Sequence, residues 1–134
     1  MAGETESHYP WDWVHIAGED LRRVRRRLAE GDTDDASFHL QQAIEKYLKA
    51  YLLSRGWKLR KTHDLNALIN DAVSYDRQLE RYRLLCQRVT NYYLVDRYPP
   101  FDEEGPSTAE VRRAYTKAKA LVQHLQGRRP KGRE

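Results

Sequence analysis

Guanidinium and phenol groups crowd one stretch of the chain, the run Arg88, Val89, Thr90, Asn91, Tyr92, Tyr93, Leu94, Val95, Asp96, Arg97, Tyr98, Pro99. Residues four apart share a helix face, so on a helix Arg88 neighbours Tyr92, Tyr92 neighbours Asp96, and Tyr93 neighbours Arg97. Planar guanidinium groups and aromatic rings stack on bases and grip phosphate oxygens, which on one reading makes this run a nucleotide or RNA surface. On the other reading an Arg and Asp pair locks the helix end while the Tyr rings sit half in the core. Residue types alone leave both open. Of the five scattered histidines, His63 stands apart because it lies beside Asp64 at a helix start, just after Arg60 and Lys61.

Other chemistries lack their residues. There is no phosphate loop, no dinucleotide Gly pattern, no nucleophile elbow and no HExxH pair, which points away from ordinary cofactor enzymes. Cys86 is the one cysteine, so an intramolecular disulfide framework and a thiolate zinc site within a single chain are excluded. It falls mid-stripe in an apolar helix with no cationic or His partner there, the setting of a core thiol rather than a nucleophile. No cofactor and no metal is expected.

Positioning these groups falls to helices. Val14, Ala17, Leu21, Val24 and Leu28 recur at spacings of three and four, one stripe of a first helix entered at Pro10 and ended by Gly31. Arg22, Arg23, Arg25, Arg26 and Arg27 fall off that stripe, as a solvated face or a phosphate-contacting one. The acidic turn Asp32, Asp34, Asp35 suits the start of a second helix, whose broad stripe from Ala36 through Leu52 to Gly56 predicts a central position. A third, shorter helix with Leu65, Leu68, Ile69, Ala72 and Val73 follows a cap at Thr62 or Asp64. A fourth carries Leu79, Tyr82, Leu85, Cys86, Val89 and Tyr93 and must stop near Tyr98, before Pro99 and Pro100. Ser107 and Glu110 form a capping box for a fifth, with Val111, Ala114, Tyr115, Ala118, Leu121, Val122 and Leu125 inside. The fold class is all-α, an up-and-down four/five-helix bundle.

At 134 residues, 40% hydrophobic and 33% charged, with 7 Gly and 5 Pro, the chain suits one α-rich core and is too apolar for disorder. Residues 1–10 are expected to be a disordered N terminus, 11–125 the bundle, and 126–134 a basic disordered tail. That tail holds +3 of the net charge of +4, so overall charge says little about nucleic acid. The first twenty residues carry five acids and no Lys or Arg, and no stretch nears the roughly 18 apolar residues of a membrane span; a cytoplasmic protein with no membrane association is expected.

Several of these residues, taken in order, resemble the prokaryotic HEPN domain: Ala17-Gly-Glu-Asp20-Leu21, then Ala36 to Ala50 (ASFHLQQAIEKYLKA), Gly56, Thr62-His63-Asp64-Leu65, and Arg97-Tyr98-Pro99. The resemblance covers about residues 11 to 125. It implies a helical bundle that commonly dimerises and is often encoded beside a minimal nucleotidyltransferase in toxin and antitoxin or related modules. Many members are metal-independent ribonucleases that use Arg, four to six intervening residues, then His; others bind nucleotides, RNA or partner proteins without catalysis.

The ribonuclease spacing is not met here. No Arg stands five to seven positions before any His, and Arg88 finds Tyr93, Leu94 and Val95 at those distances. With an ordinary pKa near 10, Tyr is a poor general base at pH 7. The expectation is therefore a non-catalytic HEPN-type module, a homodimer, that binds nucleotide or RNA and acts with a separately encoded minimal nucleotidyltransferase. Arg88, Tyr92, Tyr93, Arg97 and Tyr98 would form its surface, joined by Lys46 and Lys49 of the second helix, with His63 and Asp64 at the rim. Ala43, Glu45 and Leu65 read as framework. The alternatives are a ribonuclease toxin with a degenerate Arg-x4-6-His site and a plain protein-interaction bundle.

Overall fold

A computed structural model of the chain describes residues 7–94 and 105–127. Among the described residues are five α-helices, α1 (Pro10–Ala29), α2 (Thr33–Ser54), α3 (Leu65–Val73), α4 (Arg83–Val89) and α5 (Thr108–Leu125), with short 3₁₀ segments at Arg77–Tyr82 and Tyr92–Leu94. No strand occurs among the described residues, and none of the helices is long and apolar enough to cross a membrane. The all-α bundle expected from the periodicity is the fold.

The helix ends follow their local chemistry. Pro10 occupies the first turn of α1, where its missing N–H costs nothing. Gly31 and Gly56, with φ of 80° and 87°, adopt the left-handed backbone that turns the chain out of α1 and α2. Asp32 accepts from the Asp35 amide to start α2, Asp64 accepts from Asn66 to start α3, and the Ser107 and Glu110 capping box opens α5.

Helix α2 is the axis of the bundle, with thirteen of its 22 residues buried. Its Leu40, Ile44, Leu48 and Leu52 pack with Val24 and Leu28 of α1, Leu65, Leu68 and Ile69 of α3, Cys86 and Val89 of α4, and Val111 and Leu121 of α5. Ala17, Tyr47 and Val122 form a smaller cluster where α1, α2 and α5 meet. The Cys86 thiol is fully enclosed, and burial pushes its pKa up to about 12.

The fourth helix departs from expectation. Instead of one helix running toward Tyr98, the chain makes a 3₁₀ segment, then seven α-helical residues ending at Val89, then a 3₁₀ turn. Leu79, Tyr82 and Leu85 are buried three apart, the repeat of a 3₁₀ helix, which an α-helical face also accommodates. At the far end Thr90 turns its hydroxyl to α3, accepting from the Leu65 amide at 2.8 Å. The Arg88 and Tyr92 pairing through a continuous α-helix therefore does not form. Arg97 and Tyr98 lie outside the described residues, as do the first six residues and the basic tail from 128 on.

Candidate functional site

Gln41, Glu45 and Lys49 stand four residues apart and so share one face of α2. All three are buried, at 0%, 3% and 1% exposure. Burial of such groups is tolerated only when they are paired. Lys49 Nζ donates to Glu45 Oε2 at 3.0 Å and lies 5.1 Å from the centre of the Trp13 ring. Gln41 Nε2 donates to Glu45 Oε1 at 3.2 Å and to the His63 carbonyl at 3.0 Å, which anchors the approach to α3 against α2.

His63 completes the group. Its Nδ1 is 2.9 Å from Glu45 Oε1. A carboxylate only accepts, so this contact places a proton on Nδ1 and leaves Nε2 as the nitrogen not engaged by Glu45. The side chain is 58% exposed although its partner is buried. Tyr93, from the turn after α4, lays its ring against the imidazole, with centres 5.0 Å apart and planes 33° apart. The result is an imidazole oriented from below by a buried carboxylate and flanked by a half-buried phenol ring.

The other expected site residues are placed differently. Asp64 is exposed and caps α3, and its Oδ1 also accepts from the Thr90 hydroxyl at 3.4 Å. Arg88 is exposed. It acts on Tyr92 and on Glu110 at the start of α5; burial, then the Glu110 carboxylate, raise the Tyr92 pKa, with Arg88 opposing them. Lys49 lies in the interior rather than on a surface. Lys46 belongs to a separate cluster, donating to Asp20 Oδ2 at 2.8 Å. Asp20, 3% exposed, also meets His39 Nδ1 at 2.8 Å, and His39 leads on to Asp35, which receives Arg27 Nε at 2.7 Å. Glu45 is more than framework, because it is the group that fixes His63. Among the described residues no set of three His, Cys, Asp or Glu side chains is placed to hold a metal ion.

The sequence profile of the HEPN domain matches residues 10–128. The chain belongs to the HEPN family. The crystal structure of TT1696 from Thermus thermophilus is similar to it, with a TM-score of 0.72 and 25% identity, over 90% of this chain and 98% of that one. No curated protein matches. In this HEPN domain Tyr93 stands at the ribonuclease spacing from Arg88, and an imidazole reaches that residue from elsewhere, from the start of α3.

Proposed function

We propose that this HEPN domain is a nucleotide- or RNA-binding module that works as a homodimer with a separately encoded minimal nucleotidyltransferase, in the manner of toxin and antitoxin pairs. The observation that carries the reading is the His63 and Tyr93 ring pair, exposed on top and held from beneath by Glu45. A base stacks on such rings, and a phosphate accepts from a protonated imidazole or from Arg88. Stacking on one ring supports about 1–3 kcal/mol of binding, so His63→Ala and Tyr93→Ala should each weaken a fluorescent ATP analogue or a short RNA by roughly tenfold or more. Equal affinity in all three proteins would refute the site. Light scattering alone and with the nucleotidyltransferase tests both partners.

A second reading, metal-independent ribonuclease, is supported by one feature. With Nδ1 engaged by Glu45 and the side chain 58% exposed, Nε2 is the nitrogen left for a substrate, as in an imidazole acting as general base. RNA cleavage in EDTA that disappears in His63→Ala would favour this reading over binding alone.

A further inference from the structure

The five arginines of α1 divide into two groups. Arg23 lies 3.8 Å from Asp20, and Arg27 pairs with both Asp35 and Glu30. Arg22, Arg25 and Arg26 are exposed and make no ion pair or hydrogen bond among the described residues. At 100° per residue, Asp20, Arg23 and Arg27 fall on one flank of the buried Ala17, Val24 and Leu28 stripe, Arg25 and Arg22 on the other, and Arg26 beside Arg22 at the back of the helix. Pairing on one flank thus leaves, among the described residues, a row of three unpaired guanidinium groups away from it.

That row is one wall of a groove of about 440 Å³ between α1 and α5. Tyr115 of α5 lines the facing wall, Gly18 and Tyr47 line the groove as well, and among the described residues no carboxylate takes part. Lys119 lies 4.7 Å from the Tyr115 ring centre, so the α5 side also carries positive charge beside an aromatic ring. Arg22 and Arg26, one turn apart, are spaced about 6 Å along the helix axis, a row rather than a point.

The geometry points to a second anion site on this chain: the α1/α5 groove binds the sugar–phosphate backbone of a single-stranded nucleic acid, with Arg22, Arg25 and Arg26 on the phosphates and Tyr115 beside the bases. Cations on one wall and an aromatic ring on the facing one, itself beside Lys119, suit a strand lying along the groove. A carboxylate-bearing peptide is the competing occupant. The site is on the flank of α1 away from Asp20, and it stands whether or not His63 and Tyr93 bind a ligand.

The test is fluorescence anisotropy of a labelled twelve-nucleotide oligo(U) from 50 to 300 mM salt, with the wild-type chain, the triple variant R22Q/R25Q/R26Q, and R23Q as the paired-arginine control. Because the three side chains make no ion pair or hydrogen bond among the described residues, the triple variant should melt within about 2 °C of wild type. It should bind at least tenfold more weakly at low salt, and the slope of log K against log salt should fall by about 2, at about 0.7 per lost single-strand phosphate contact. R23Q should match wild type. A triple variant with wild-type affinity and slope overturns the assignment, even if the RNA binds through His63. So does a wild-type chain that ignores oligo(U) but binds an oligoglutamate peptide through the same arginines, which would assign the groove to a protein partner.

Discussion

Removing the carboxylate beneath His63 tests the site and the core together. Glu45→Ala deletes contacts to Lys49, Gln41 and His63 while Lys49 stays 1% exposed with the Glu45 charge gone. Breaking a buried ion pair from one side costs about 3–5 kcal/mol, because the remaining ion keeps its desolvation penalty. For a chain of 134 residues each kcal/mol moves the melting midpoint by roughly 3–4 °C, so the midpoint should fall by about 10 °C or more. Glu45→Gln keeps an acceptor for His63 but faces Lys49 with a neutral amide, and it should fall between Glu45→Ala and wild type. The double change Glu45→Leu with Lys49→Met replaces both charges by apolar groups and should recover most of the loss. Differential scanning calorimetry of the four proteins is the assay. A drop below about 3 °C for Glu45→Ala, or a double variant no more stable than Glu45→Ala, would refute the claim that the buried pair sets the cost.

Two more outcomes follow from titrating groups. The His124 hydrogen bond, with the Gln78 amide assisting against burial, lowers the Asp76 pKa. A depressed folded pKa stabilises above the unfolded value near 4 and the gain is lost as pH falls through the folded one, so urea unfolding of Asp76→Asn should lag wild type by at most about 1 kcal/mol at neutral pH and converge with it in acid. A constant gap across that range would refute the linkage. The Cys86 thiol, pushed up to about 12 by burial, should not react with Ellman's reagent at pH 8 in the folded protein and should react at once in urea; rapid labelling of the folded chain would show that α4 opens.

Much of the bundle is legible in the sequence because its signals are local. Gly31 and Gly56 stop helices, Ser107 and Glu110 start one, and stripes at three and four mark the faces toward the core. The 3₁₀ segments escaped because Leu79, Tyr82 and Leu85 fit a three-residue repeat and are compatible with an α-helix as well. The site was half legible. Tyr93 and His63 stood out by residue type, but their meeting depends on the path of the 57–64 segment, which no periodicity encodes. The buried polar network of Glu45, Gln41 and Asp20 is not legible, because polar residues on amphipathic helices usually face water. The available clue was the i, i+4, i+8 row of Gln41, Glu45 and Lys49 inside the broad apolar run of α2.

The Thr90 hydroxyl joins the end of α4 to the start of α3, accepting from Leu65 and donating to Asp64. His63 precedes that junction by one residue and Tyr93 follows it by three, so one small side chain sets the spacing of two rings that sit thirty positions apart in the chain. The rings are thereby preorganised. Ordering a loop or an unrestrained side chain on binding costs about 0.5–1.5 kcal/mol for each immobilised group, and here that entropy has already been spent when the chain folds. A ligand of the proposed site would meet a finished surface at His63 and Tyr93, and its affinity would report contact chemistry rather than rearrangement.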